Sequence, residues 1–425
     1  MRVSRIVTKN DILLASLRPL VLFTLGIALL AVAMPNLARA QNWRFEPIIK
    51  VGGEYDDNAT LAIRTDEEVS LSGLLLDLQA DIKYSSASTS FLLQPKALVR
   101  RYDDDSDFDS EDYFIRSEFN YNARSSSFGF RVFFDEQAVR TAERANSDLE
   151  IEDPDDLTDD DSGRTERFGD RSKWRLVPKW DYRLSNISSI GAQIDYFDVQ
   201  YDDVIGDTLD DYTDTRLNLN YRRNFSNVNT GLLTVTGRKY DSENVANDTD
   251  GYGIMAGFEY ALSTKMRLMA MIGFEDIDQS GFDYDPEVTA NVTLTRNLET
   301  ISLYAQYRRS VSASGAGELS IRDSLNLNFR RRLSERVSAG VGIRAYRSSP
   351  GDGSVSTEED DRDYIQLQSS FRWYLSTAMV IEADYRYTIN DREEVLVNGV
   401  LVGERANSNQ VNLWFIYQPR TTPKL

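Results

Sequence analysis

The sequence has no cysteine, no histidine and only ten prolines in 425 residues. Without cysteine, disulfides and a lipid-modified N-terminal cysteine are both excluded. Without histidine, the usual general base and the commonest zinc ligand are missing, so Ser–His and Asp–His hydrolytic sites cannot form. No catalytic residue and no cofactor are expected, and the chain does not read as an enzyme. Positive charge is scarce: 48 Lys and Arg stand against 68 Asp and Glu, for a net charge of −20. That balance argues against nucleic acid as a partner. Long apolar runs are lacking too, since nothing beyond Met34 approaches the roughly 20 residues of a membrane helix. With 41% hydrophobic and 27% charged residues, average polarity would suggest a soluble chain. A strand with one apolar face never shows a continuous run, however, so the pattern must decide.

Residues 1–40 are expected to be a cleaved secretion signal. Arg2, Arg5, Lys9 and Arg18 precede an uncharged apolar stretch from Leu20 to Met34, and Ala38-Arg39-Ala40 places small residues where a signal peptidase reads. Removing this leader, with five basic residues and one acid, leaves residues 41–425 at −24.

What is abundant is alternation. From Trp43, the odd positions Trp43, Phe45, Ile49, Val51 and Tyr55 are mostly apolar, while Arg44, Glu46, Lys50 and Glu54 fill the even ones. Period two places these sets on opposite faces of a strand. The pattern recurs to the end: Trp174, Leu176, Trp180 and Tyr182 alternate with Arg175, Lys179, Asp181 and Arg183. In the last strand, Val411, Leu413, Phe415 and Tyr417 share one face. The spans are 43–55, 70–85, 89–102, 112–124, 126–137, 172–184, 188–201, 212–224, 228–240, 251–262, 266–277, 287–296, 300–310, 318–331, 336–347, 362–375, 379–390 and 405–418. The fold class is therefore all-β, an antiparallel transmembrane β-barrel of about 18 strands, within a range of 16 to 20. A soluble sandwich also alternates, but these strands are longer than the roughly 5 or 6 residues usual in soluble sheets.

Connections fall into two alternating kinds. Short ones share a signature: Leu184-Ser185-Asn186, Phe225-Ser226-Asn227, Leu262-Ser263-Thr264, Leu333-Ser334-Glu335 and Leu375-Ser376-Thr377, with a further turn at Asn297-Leu298. Longer ones are acidic and are often entered through Tyr-Asp, as at Tyr55, Tyr102, Tyr201 and Tyr240. Short periplasmic turns and long external loops are the asymmetry of bacterial outer-membrane barrels, so integral insertion in a Gram-negative outer membrane is expected, with its lipid and lipopolysaccharide as surroundings.

Assigning the apolar parity to lipid turns a basic set inward. The candidate pore-lining residues are Arg100, Arg116, Arg131, Arg175, Lys179, Arg216, Arg238, Arg267, Arg308, Arg322, Arg344, Arg372 and Arg386, with the aromatics Tyr304 and Tyr346. Arg44, Lys50, Lys96, Arg183, Arg222 and Arg330 share the parity, as do fewer acids: Glu46, Glu54, Glu118, Asp135, Asp181, Asp195, Glu259, Glu275, Glu287, Glu382 and Asp384. A basic interior would concentrate anions, and guanidinium groups match carboxylates and phosphates. Inward aromatics, including Phe114, Phe197 and Tyr374, either stack on sugar faces or pack against long Arg side chains.

The longest loop, 138–171, has an acidic core of Asp148, Glu150, Glu152, Asp153, Asp155, Asp156, Asp159, Asp160 and Asp161. Its composition favours a mobile, solvated segment; inward folding as a constriction is the alternative. The spacing of a Ca²⁺ loop is absent, and no metal ligands are assigned. Gly251-Tyr252-Gly253 and Gly340-Val341-Gly342 lack nucleotide-loop spacing and read as strand glycines.

The opening strand ending Gly53-Glu54-Tyr55-Asp56-Asp57-Asn58, the Leu-Ser turns, the strand count and the aromatic final strand resemble the beta-barrel porin type 2 family. That resemblance implies an outer-membrane exit for an exopolysaccharide, an anionic one given the basic interior, with periplasmic polysaccharide export proteins as partners. Uptake of small anionic or sugar solutes, or a plugged structural or adhesive barrel, are the alternatives.

Overall fold

The computed structural model describes residues 42–103, 106–144, 161, 165, 168–204, 209–242, 249–279, 282–283, 285–313, 315, 319–350, 362–392, 395–397, 400–402 and 405–419. The leader expected over 1–40 lies outside them, as does all of the acidic run except Asp161.

Eighteen long strands follow in order: β1 Trp43–Asp56, β2 Leu71–Ser85, β3 Thr89–Tyr102, β4 Ser110–Asn122, β5 Ser126–Ala138 and β6 Asp170–Arg183. Next come β7 Ser188–Asp202, β8 Tyr212–Asn224, β9 Asn229–Ser242, β10 Thr249–Ser263, β11 Met266–Gln279 and β12 Glu287–Asn297. The last are β13 Ile301–Ala313, β14 Leu319–Ser334, β15 Val337–Pro350, β16 Arg362–Tyr374, β17 Met379–Arg392 and β18 Arg405–Tyr417. Each pairs antiparallel with its sequence neighbours, and β1 also pairs with β18, with Ile49 opposite Tyr417 and Asp56 opposite Gln410. That pairing closes the sheet, so none of these eighteen strands presents an unpaired edge to lipid, where backbone groups must be satisfied within the protein. Among the described residues, α-helix is confined to a single turn, α1 Val139–Ala142, with one 3-10 turn at Ser106–Phe108.

The outward parity is apolar and unusually exposed: Leu74 is 69% accessible, Ile272 63% and Leu413 57%. Trp174, Trp180, Tyr252, Phe258, Trp373 and Phe415 extend the same belt. Such a surface would be unstable in water and is solvated by acyl chains, which makes this an integral outer-membrane barrel. The prolines obey the same logic. Lacking an N–H, Pro95 and Pro178 interrupt the β2–β3 and β6–β7 ladders, while Pro95 keeps its register opposite Ile115 of β4.

The Leu-Ser signature has a local cause. Ser185 Oγ accepts from the amides of Ile187 (3.2 Å) and Ser188 (3.1 Å), and Ser226 Oγ does so from Val228 (3.3 Å) and Asn229 (3.1 Å). Ser376 repeats this with Ala378 and Met379, and Ser263 and Ser334 bond the amide two residues on. The hydroxyl thus satisfies turn amides that no strand can reach. The preceding Leu184, Phe225, Leu262, Leu333 and Leu375 continue the outward parity and are exposed, so the apolar belt runs down to the turns.

At the opposite end the chain turns back into the barrel. In the β1–β2 connection, the Ala59 amide donates to Val69 O at 2.9 Å, and Asn58 Nδ2 donates to Ala62 O and Asn407 O. Leu61, with φ of 51°, is buried against Tyr346, Tyr364 and Ala406. A second cluster joins Ala59, Leu71, Tyr102 and Phe108, and a third Val199, Tyr212, Tyr240 and Ala313. Loop residues thus cover inward-facing aromatics at this end, where apolar clusters and buried ion pairs such as Arg144–Asp56 lie together.

Candidate functional site: the charged lumen

Because side chains alternate across each strand, the inward parity delivers one side chain to the lumen about every 6.5 to 7 Å along a strand, and many of these are charged. Register then sets neighbours side by side across strands. The result is a wall of ion pairs. Arg175 donates through Nε (2.8 Å) and Nη2 (2.6 Å) to both carboxylate oxygens of Asp195, and Arg372 grips Glu382 in the same way at 2.7 and 2.9 Å. Buried Arg238 donates to both oxygens of Asp214 and to Val311 O, and Arg216 shares Asp214 at 3.0 Å. Bidentate geometry of this kind fixes both partners and offsets their desolvation.

Each sequence-derived candidate has a place in this wall. Arg100 pairs with Asp112, Arg116 with Glu118 at 3.6 Å, Lys179 with Asp181 at 3.8 Å and Arg267 with Glu259 at 3.2 Å. Arg131 stands opposite Glu118 in the register, and Arg386 donates to Gln410 Oε1 at 2.9 Å. Arg308 lines a cavity of about 290 Å³ with Arg216, Asp195, Asp214 and Glu275. Tyr304 faces inward between Thr295 and Asn328. Arg322 and Arg344 converge on Asp161.

The inward aromatics pack against cations. Arg322 lies 3.9 Å over the Tyr346 ring, Arg175 5.0 Å over Phe197 and Lys96 4.9 Å over Phe114. Packing against long cationic side chains is thus seen for Phe114, Phe197 and Tyr346, and Tyr346 also stacks on Tyr364 at 5.0 Å and 8°.

Sequence reasoning missed part of the acidic complement. Asp77, Asp81, Asp112 and Asp214 are buried and face inward with the same parity as their ion-pair partners, so period two was enough to find them. Arg171 was lost because β6 begins two residues before the expected 172, whereas Lys173 lies within that span and shares the parity of Arg175. Glu143, Arg144 and Asp161 had no periodic signal, since they belong to the β5–β6 connection.

The described residues of that connection reach into the lumen. Arg140 donates to Phe108 O at 2.6 Å and lies over the Tyr102 and Phe108 rings. Glu143, fully buried, accepts from Arg171 Nη1 (3.0 Å) and the Tyr201 hydroxyl (2.9 Å). Arg144 reaches Asp56 and the Ser408 hydroxyl; burial works against its charge, but Asp56 outweighs that and holds the guanidinium above its ordinary range. The Thr165 hydroxyl donates to Thr60 O at 2.9 Å. Asp161, the described member of the acidic run, is buried inside the barrel, and the other eight acids lie outside the described residues.

Beneath this connection lies the larger cavity, about 450 Å³. Eleven cationic side chains line it, among them Lys50, Lys96, Arg100, Arg171, Arg330 and Arg386, against seven carboxylates. Among the described residues no cluster of carboxylates has the grouping of a metal site.

No family model matches the chain, and no curated protein is similar to it. Solved structures are. The outer membrane channel DcaP of Acinetobacter baumannii is 12% identical with a TM-score of 0.42, over 89% of this chain and 97% of that one. OccK2 (OpdF) of Pseudomonas aeruginosa is 8% identical with a TM-score of 0.45, over 88% and 98%. OpdQ of the same organism is 7% identical with a TM-score of 0.43, over 89% and 98%. With no family model matched, the likeness to the beta-barrel porin type 2 family stays a resemblance.

Proposed function

We propose that this protein is a passive outer-membrane channel, not an enzyme, whose path favours small anionic solutes. The observation that carries this reading is the excess of guanidinium and ammonium groups over carboxylates around the 450 Å³ cavity, in a chain whose overall charge is strongly negative. Charges on a narrow low-dielectric wall act at close range, whereas acidic loops at the mouth are screened within about 8 Å at physiological salt. An anionic polymer leaving the cell would meet the same wall, but no lumenal feature specifically favours export of an exopolysaccharide, and the inward-folded connections favour small solutes. Reconstitution in planar bilayers under a salt gradient tests the proposal: the reversal potential should have the sign of anion preference, and that preference should weaken as salt rises. Cation preference in the unmodified channel would refute it.

A further inference from the structure

One buried arrangement in the lumen is built like a ligand site and is filled by the chain itself. Asp161 Oδ1 accepts from Arg322 Nη1 at 3.1 Å and from Arg344 Nη2 at 3.3 Å, and Arg322 also donates to the Asp161 carbonyl. The two arginines sit on neighbouring strands β14 and β15, and their side chains are 3% and 5% exposed. Tyr346 backs Arg322 from its other face and is itself held by Tyr364, so the guanidinium is fixed before anything binds.

Beside them is a polar group with nothing to bond. Gln366 stands opposite Arg344 in the β15–β16 register, on the same inward face, and is 1% exposed. Neither its Nε2 nor its Oε1 has a hydrogen-bond partner, and the Tyr346 hydroxyl is likewise unmatched. Leaving such a buried group unsatisfied is destabilising, so a partner for it would be a net gain. The amide of Gln366 thus stands with both its donor and its acceptor open beside the guanidinium of Arg344. A ligand with a carboxylate flanked by hydroxyls would satisfy both: oxygens for Arg322 and Arg344, and a hydroxyl that donates to Gln366 Oε1 while accepting from Nε2.

We propose that Arg322, Arg344 and Gln366 form a subsite for a small hydroxycarboxylate anion, and that the Asp161 carboxylate occupies the anion position when solute is absent. The inference rests on the reading of the lumen as an anion path and names the class of anion. Solute and Asp161 then compete for the same two guanidiniums, and the affinity measured for an external carboxylate is lowered by the fraction of time Asp161 holds them.

Titration calorimetry of the full-length barrel in detergent, with gluconate as probe and sorbitol as its uncharged counterpart, tests the competition. Heat-modifiable migration of each variant shows that the barrel is closed. Both Asp161→Asn and Asp161→Ala should bind gluconate about tenfold or more tighter than the unmodified protein, a gain of about 1.4 kcal/mol per decade. Adding Arg322→Gln and Arg344→Gln to Asp161→Ala should abolish that gain. Gln366→Leu in the Asp161→Ala background should weaken gluconate and leave acetate, which has no hydroxyl, unchanged. An unchanged gluconate affinity in both Asp161 variants, or equal binding of sorbitol, overturns the subsite. Bilayer currents separate this from the channel reading: binding that follows the pattern in a barrel without conductance keeps the subsite and sinks the channel, while anion-preferring conductance with no effect of Asp161 does the reverse.

Discussion

Arg144 Nη1 donates to Asp56 Oδ2 at 2.7 Å, tying the segment after α1 to the end of β1 across 88 positions of sequence. Both side chains are at least nine-tenths buried. Removing one partner leaves an uncompensated buried charge, which typically costs about 3–5 kcal/mol. Asp56→Ala should therefore lower the thermal midpoint of heat-modifiable migration, and the double variant Asp56→Asn, Arg144→Gln should recover much of the loss. Equal midpoints for the unmodified protein and Asp56→Ala would mean that the pair does not anchor the connection.

Replacing Arg116, Arg216 and Arg344 together by Gln should turn the channel toward cations. Three cations are lost while Glu118, Asp214 and Asp161 stay charged, Asp214 still held by Arg238 and Asp161 by Arg322, so the wall becomes more negative without releasing those two carboxylates. The reversal potential under a salt gradient should move toward, and with dilute salt through, zero. A potential that does not shift would show that these three side chains lie off the conducting path.

The absence of cysteine makes topology directly measurable. Glu67→Cys, in the exposed part of the β1–β2 connection, should react with an impermeant maleimide on intact cells, whereas Ser226→Cys and Ser334→Cys should react only after the outer membrane is opened. The reverse pattern would invert the barrel.

Met255 and Met271 pack reciprocally on glycines of the neighbouring strand. A Cβ at Gly257 would meet Ala270 O at 2.0 Å and Met271 Cα at 2.7 Å, and one at Gly273 would meet Ile254 O at 2.0 Å and Met255 Cα at 2.7 Å. Gly257→Val should thus destabilise the β10–β11 pair by about 1–3 kcal/mol, as overpacking does. The check is the urea midpoint of the barrel refolded in bilayers, and Gly237→Ala, where no atom lies within 4 Å of the added carbon, is the comparison that should leave it unchanged.

The sequence by itself determined the wall. Strand number, the turn serines and which face of each strand meets lipid all follow from interactions between residues two or three apart, and β8, expected over 212–224, is Tyr212–Asn224. Parity also turned Arg175, Arg238 and Arg372 inward, and would have turned Asp77 and Asp214 inward had it been applied to every strand. Only the tertiary structure decided what fills the wall. The contacts of Arg322 and Arg344 with Asp161 span 161 and 183 positions, and that of Thr165 with Thr60 spans 105. A connection has no period to reveal its direction, and Asp161 reads as part of a solvated acidic run because composition records charge and not the partner that will neutralise it. Whether a carboxylate faces water or a buried guanidinium is settled by closure of the sheet, which brings strands distant in sequence to opposite sides of one lumen.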